Sequence, residues 1–109
     1  EGARRRMVDF THEQIRELLS NYGKIDVLWY DGARPNLGPA GWESARMNKM
    51  VFELQPDIVV NNRNALKGDF STPEQKIVAE QEGRAWESCR TLNQSLGYQA
   101  ADDEWKTPK

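Results

Sequence analysis

The sequence contains one cysteine, Cys89, and one histidine, His12, and this scarcity removes several classes of site. A single thiol cannot form a disulfide within the chain, so cysteine usage does not indicate a redox compartment. One cysteine and one histidine also cannot supply the ligand set of a zinc centre, and we expect His12 to be a solvated position near a helix start. Neither a phosphate-binding glycine motif nor a Ser-His-Asp set is present.

Long apolar runs and a charge excess are also lacking. No apolar run approaches the roughly 20 residues of a membrane-spanning helix, so the sequence predicts no membrane partner. Fifteen basic residues stand against seventeen acidic ones, for a net charge of −2. Without a positive field a nucleic-acid partner is not indicated, and we interpret the basic cluster at residues 4–6 as a solvated helix start or chain end.

What the chain does contain is enough for about one globular domain. Its 109 residues are 38% hydrophobic and 29% charged, and they include four tryptophans. This composition is not that of a disordered chain, although a mean hydropathy of −0.84 predicts a thin core. The absence of an initiator methionine and of a closing element leads us to expect a piece of a larger protein.

Hydrophobic periodicity predicts alternating helices and strands. A capping box at Thr11–Gln14 and an apolar stripe predict a helix over about 10–22, which Gly23 would end. Apolar residues at helical spacing predict a second helix that ends before Pro56. The predicted strands, the third the weakest of them, are 25–30, 57–61 and 85–89.

This alternation is typical of βα units, so the fold class predicted is α/β with a parallel sheet. The near-continuous apolar character of the first two strands predicts that both faces of each are buried. Residues 62–84 are polar and rich in turn-forming residues, and we interpret them as connecting structure.

Ligands of parallel α/β folds gather outside the carboxyl ends of the strands. The residues at these ends are Asp31, then Asn61, Asn62 and Arg63, then Glu87. A carboxylate, an amide–guanidinium cluster and a second carboxylate would therefore share one edge of the sheet.

Each of these residues also has an ordinary structural explanation. Asp31 precedes a glycine, and Asp-Gly suits the turn after a strand. Trp29 should point to the same side as Asp31 and could equally pack in a core, while Arg63 could be a surface ion-pairing residue. Thr72 could cap a short helix begun by Pro73, with Glu74 as an acid in its first turn.

Glu87 follows Trp86 in an otherwise buried-looking segment, a desolvating setting that suits a general acid. Carboxylates, tryptophans and an arginine, without metal or nucleotide signals, favour glycoside hydrolysis by two carboxylates.

Four segments in order resemble the α-L-fucosidases, glycoside hydrolase family 29. They are QIRELLSNYGKIDVLWYDG (14–32), LQPDIVVNNR (54–63), GDFSTPEQKI (68–77) and WESCRTLNQSLGY (86–98). The resemblance covers about residues 8–106. It implies about three βα units of a (β/α)8 TIM-like barrel, with residues 1–109 all within that catalytic domain and no second domain.

The resemblance also implies roles for individual residues. Asp31 of LWYDG matches the nucleophile of the family, Trp29 a residue lining the fucose pocket, and Arg63 a fucose-binding arginine. We expect Trp86, beside a candidate catalytic residue, to contribute to the sugar site. No cofactor is implied.

The acid/base residue has two candidates, because family members place it at more than one position. Glu74 of TPEQ matches one position and Glu87 of WESC the other. The strand-end location of Glu87 favours it slightly over Glu74.

The implied activity is retaining hydrolysis of terminal α-L-fucosyl linkages in oligosaccharides or glycoconjugates. A secreted, periplasmic or lysosomal location would fit the family. Three positions depart from the family pattern: Asn62 and Asn64 replace an acid and an aromatic residue, and Leu96 replaces the tryptophan of the family's SWGY segment. The family's histidine-bearing segments are not among these residues, so we expect the chain alone to be inactive without the rest of the barrel.

The alternatives are a non-catalytic carbohydrate-binding relative, including a truncated pseudoenzyme, and an unrelated α/β interaction module.

Overall fold

The computed structural model describes residues 2–32, 36–78 and 83–107. The described elements are the helices α1 (Gly2–Asn21), α2 (Gly38–Gly41) and α3 (Ser44–Leu54), and the strands β1 (Val27–Leu28) and β2 (Val59–Val60). Within these ranges no helix combines the length and the apolar character that crossing a membrane requires.

Helix α1 begins at Gly2, eight positions before the start predicted from the sequence. The predicted capping box is wrong, because Thr11 lies inside the helix and its Oγ1 donates to the carbonyl oxygen of Met7 at 2.9 Å. The predicted end is confirmed. Gly23 has φ +82°, the left-handed conformation in which glycine ends helices.

His12 is buried, contrary to the prediction of a solvated position. Its side chain is 2% exposed, and Nε2 lies 2.9 Å from the carbonyl oxygen of Trp42. Because α1 starts much earlier than predicted, His12 lies in the middle of the helix, on the face that packs on the rest of the chain.

Helix α3 confirms the second predicted helix, and its end is joined to the start of the sheet through Gln55. Gln55 Nε2 donates to the carbonyl oxygens of Leu19 and Gly23 at 2.8 and 2.9 Å. Its Oε1 accepts from the backbone N–H of Ile25 at 2.8 Å. One side chain thus connects the ends of both long helices to the chain entering β1.

Strands β1 and β2 are parallel, with Val27 opposite Val59 and Leu28 opposite Val60. One face of this sheet packs on α1 and α3 to form the core. The buried core cluster consists of Leu19, Leu28, Tyr30, Met47, Val51, Ile58 and Val60.

The other face is not buried within this chain, which corrects the prediction for the first two strands. Val27 is 51% and Val59 38% exposed. Because strand side chains alternate between faces, the two helices cover only every second residue.

Two further segments extend the parallel arrangement through single bridges. Residue 61 pairs with residue 70, residue 71 with Trp86, and Glu74 with Cys89, all in parallel. The predicted third strand is therefore present only as isolated bridging positions. Residues 70–74 are extended, which corrects both the connecting-structure interpretation and the predicted short helix, and Glu74 lies on this extended segment. The fold is thus α/β with a small parallel sheet, as predicted.

Candidate active site

Asp31 and Arg63 meet beyond the carboxyl ends of β1 and β2. Arg63 Nη1 lies 3.4 Å from Asp31 Oδ1. The Arg63 side chain is 21% exposed, whereas that of Asp31 is 67% exposed. The anchored member of the pair is therefore the cation, and the carboxylate faces solvent.

Asn61 uses its side chain to position the backbone at Arg63 and at Tyr30, the residue before Asp31. Its side chain is fully buried, and Oδ1 accepts from the backbone N–H groups of Tyr30 at 3.1 Å and Arg63 at 3.3 Å. Its Nδ2 donates to the carbonyl oxygen of Tyr30 at 3.0 Å. The amide thus serves both backbone groups of Tyr30, as a paired strand would, and fixes the residue before Asp31.

Thr72, which sequence reasoning treated only as a helix cap, holds the Arg63 guanidinium. Arg63 Nε donates to Thr72 Oγ1 at 2.8 Å, and Nη2 lies 3.4 Å from the Thr72 carbonyl oxygen. Thr72 is in turn bonded through its backbone N–H and hydroxyl to Asn62 Oδ1, both at 3.2 Å. Apart from its place on a polar segment, the sequence gives no signal for this contact.

Glu74 is the second carboxylate on the same guanidinium. Its Oε2 lies 3.1 Å from Arg63 Nη1, and the Glu74 side chain is 61% exposed. One nitrogen of Arg63 therefore faces both Asp31 and Glu74, which brings one of the two acid/base candidates into the site.

Trp29 contacts the other acid/base candidate, Glu87. The Arg63 Cζ atom lies 4.6 Å from the centroid of the Trp29 ring, a stacked cation–π contact. Trp29 Nε1 donates to Glu87 Oε1 at 2.6 Å, and the Cys89 thiol lies 3.6 Å from the same oxygen. All four of Asp31, Arg63, Glu74 and Glu87 thus belong to one network.

The predicted desolvation of Glu87 is not found in this chain. Glu87 is exposed, and Trp86 is 38% exposed. Since neighbouring residues of an extended segment point to opposite sides, Trp86 is directed away from the side of Glu87. The structure therefore does not join Trp86 to the other predicted site residues.

Two groups near the network have raised pKa values. Burial raises the pKa of Tyr30 to about 12, and its hydroxyl donates to Asn48 Oδ1 at 3.0 Å. Burial, together with the neighbouring Glu87 carboxylate, raises the pKa of the Cys89 thiol. Both side chains are therefore neutral hydrogen-bond donors around neutral pH.

An open cavity of about 370 Å³ adjoins Asp31 and Arg63 on the side of α1 and α3. Within the described ranges, no group of three or more histidine, cysteine, aspartate or glutamate residues could hold a metal ion. The site therefore consists of carboxylates, one guanidinium and an indole, a set that suits acid–base and nucleophilic chemistry on a sugar.

Comparison with known proteins gives concordant results. The sequence profile of the family described as alpha-L-fucosidase matches residues 2–109. No curated protein matches the chain.

Among solved structures, α-L-fucosidase isoenzyme 1 from Paenibacillus thiaminolyticus is 37% identical, with a TM-score of 0.71. The match covers 94% of this chain and 28% of that enzyme. The α-L-fucosidase AlfC from Lactobacillus casei, in complex with α-L-fucose product, is 32% identical over 88% of this chain and 30% of AlfC, with a TM-score of 0.59. An AlfC variant in complex with Fuca(1,6)GlcNAc is 30% identical over 91% of this chain and 31% of that protein, with a TM-score of 0.56.

The chain therefore spans less than a third of the length of each of these enzymes. Because the family profile covers residues 2–109 and these identities extend over most of the chain, it belongs to the α-L-fucosidase family, glycoside hydrolase family 29.

Proposed function

We propose that this chain is part of the catalytic domain of a retaining α-L-fucosidase. Its substrates would be terminal α-L-fucosyl linkages of oligosaccharides or glycoconjugates. The observation that carries the proposal is the convergence of Asp31, Arg63, Glu74 and Glu87, which come from four successive segments of the chain.

Asp31 is the nucleophile in this proposal. Its carboxylate oxygen attacks the anomeric carbon and forms a C–O bond while the bond to the aglycone oxygen breaks. The leaving oxygen takes a proton from the acid/base glutamate. Water then attacks the same carbon, gives its proton to that glutamate, and releases Asp31 as a carboxylate.

Glu87 is our first choice as the acid/base. Glu74 would have to give up its 3.1 Å ion pair with Arg63 in order to carry a proton. The donors to Glu87 are instead the neutral indole of Trp29 and the thiol of Cys89, and both converge on Oε1. Oε2 is then the oxygen that carries the proton.

Arg63 holds the Asp31 carboxylate and, by the family resemblance, the sugar. Its guanidinium is fixed by Thr72 on one side and by the Trp29 ring on its face. A fixed guanidinium loses little side-chain freedom when it binds hydroxyl groups, so it is suited to orienting a sugar.

A barrel architecture explains the uncovered sheet face. Val27 and Val59 are exposed on the face opposite the helices, the side to which Trp29 and Asp31 also belong by alternation. In a closed (β/α)8 barrel this face would be the interior, and Asp31 would lie at the carboxyl end where such enzymes bind substrate. We propose that residues 1–109 supply about three units of such a barrel.

The test uses the full-length protein that contains this chain and 4-nitrophenyl α-L-fucoside as substrate. Asp31→Ala, Glu74→Ala and Glu87→Ala are compared in the presence and absence of azide. Removal of the nucleophile predicts rescue to the β-fucosyl azide, and removal of the acid/base predicts rescue to the α-fucosyl azide. We expect the β product from Asp31→Ala and the α product from Glu87→Ala.

Glu53→Ala serves as a matched control, since Glu53 lies on α3 with its side chain 65% exposed. If the α product came from Glu74→Ala, the acid/base assignment would pass to Glu74. A full-length protein that binds fucose but hydrolyses no fucoside would instead be the non-catalytic carbohydrate-binding relative.

A further inference from the structure

The indole N–H of Trp29 is already engaged by a carboxylate. The 2.6 Å separation from Nε1 to Glu87 Oε1 joins residues 58 positions apart in the chain. The same N–H cannot donate to a sugar hydroxyl while this bond is formed. Any contact of Trp29 with fucose would therefore be made by the ring.

The orientation of the indole is itself fixed. The centroid of its ring lies 4.6 Å from the Arg63 Cζ atom. Arg63 is held by Thr72 and in turn contacts Asp31. The stacking sets the plane of the ring and, with it, the direction of the N–H. Asp31 and Glu87 are thus connected through Arg63 and Trp29.

The exposed side chain of Glu87 needs a contact that holds its carboxylate in one position. The segment that carries Glu87 joins the neighbouring extended segment through the single bridges at Trp86 and Cys89. A glutamate side chain has several rotatable bonds, and without a partner it samples many positions. A retaining mechanism requires the two carboxyl groups to be about 5–5.5 Å apart, so this freedom would lower the rate.

We propose that Trp29 is a positioning residue that holds Glu87 Oε1 through its indole N–H and leaves Oε2 directed at the leaving oxygen. This rests on the proposed function, with Glu87 as the acid/base. Trp29 therefore affects the step in which a proton is transferred, beyond any packing against the sugar.

The test replaces the N–H while keeping an aromatic ring, with Trp29→Phe in the full-length protein. The kcat/KM is measured for two substrates, 2,4-dinitrophenyl α-L-fucoside and methyl α-L-fucoside. Dinitrophenolate leaves without protonation, whereas methanol requires a general acid. We expect kcat/KM to fall about 10–100-fold for the methyl fucoside and less than about 3-fold for the dinitrophenyl fucoside.

Trp105→Phe is the matched control, because it removes the same indole N–H at a residue that is 63% exposed. Equal losses for both substrates in Trp29→Phe would show that Trp29 only packs against the sugar, and would overturn the proposal. A wild-type protein that hydrolyses neither fucoside would instead refute the proposed function.

A double-mutant cycle tests whether Trp29 acts through Glu87. In a Glu87→Gln background, Trp29→Phe should cost no further activity with the methyl fucoside. Independent, multiplicative losses would overturn the proposal.

If Trp29→Phe does not fold, 3-benzothienylalanine at position 29 keeps the size of the indole and replaces only the N–H by sulfur. The same dependence on the leaving group is expected from it, and its absence would count against the proposal equally.

Discussion

Arg63 Nη1 and Asp31 Oδ1 lie 3.4 Å apart although 32 positions separate the two residues. The parallel pairing of β1 and β2 produces this proximity, because both strands end at the same edge of the sheet. Arg63 also reaches Glu74 and Trp29 from this position, so one guanidinium organises the site.

Arg63→Lys should therefore lower the fucosidase activity proposed for the full-length protein although the charge is kept. An ammonium cannot donate to Thr72 through Nε and Nη2 while facing Asp31 and stacking on Trp29. We expect kcat/KM for 4-nitrophenyl α-L-fucoside to fall about 10–100-fold in the full-length protein. Arg16→Lys, on the exposed surface of α1, is the control, and an equal effect in both variants would contradict this role.

Asn61→Ala should lower the free energy of unfolding by about 2–4 kcal/mol, because both backbone groups of Tyr30 would lose their partner in a buried position. Urea unfolding of the full-length protein measures the change. Asn21→Ala, at the exposed end of α1, should have little effect. A loss no larger than that of this control would show that water or a shifted side chain replaces the amide.

The sequence was sufficient for elements whose signal is local. The spacing of apolar residues and the positions of glycine and proline predict three features: the end of the first helix at Gly23, the helix before Pro56 and the order of the two main strands. The start of α1 was missed because residues 2–9 have no apolar stripe, and this part of the helix instead packs through Val8 and His12, which are buried by tertiary contacts.

The site was only partly predictable for the same reason. The predicted strand order alone places Asp31, Arg63 and Glu87 at one edge of the sheet. The bond from Trp29 to Glu87 and the hold of Thr72 on Arg63 depend on tertiary pairing of residues 70–74 and 86–89. Residues 70–74 carry polar residues and a proline, so their composition predicts turns rather than an extended segment beside residues 86–89.

The raised pKa of Tyr30 makes the free energy of unfolding depend on pH in the alkaline range. Burial raises it from an ordinary 10.0 to about 12, so above pH 10 the unfolded chain loses this proton while the folded chain keeps it. The free energy of unfolding should decrease as the pH rises from about 10 to 12, by up to about 1.4 kcal/mol per unit.

Tyr30→Phe should remove this contribution and flatten the decline, as measured by urea unfolding across that pH range. The substitution leaves Asn48 Oδ1 its bond from Asn64 Nδ2 at 2.7 Å, so no acceptor is orphaned. Tyr98→Phe, at a tyrosine that is 93% exposed, controls for the loss of a phenol. An unchanged slope in Tyr30→Phe would show that this hydroxyl does not remain protonated.

Gly68→Ala should distort the end of β2. A Cβ at this position would overlap the carbonyl oxygen of Asn61 and lie 2.5 Å from that of Val60. Because both neighbours are backbone, relief requires movement of the strand, and we expect a loss of about 1–3 kcal/mol. Gly2→Ala, whose nearest neighbour would be Arg6 Nη1 at 3.4 Å, should not destabilise the protein. Equal thermal midpoints for the two variants would contradict this.

The 109-residue chain on its own should associate and should not hydrolyse fucosides. Leu92, Leu96 and Tyr98 are 77%, 92% and 93% exposed, and the sheet face carrying Val27 and Val59 is uncovered. Apolar surface of this extent promotes association, and parallel sheets occur almost only where both faces are covered. Size-exclusion chromatography should give oligomers, and Leu96→Lys with Tyr98→Lys should shift them toward the monomer. A monomeric chain that unfolds cooperatively and cleaves 4-nitrophenyl α-L-fucoside would show that these residues suffice for both fold and activity.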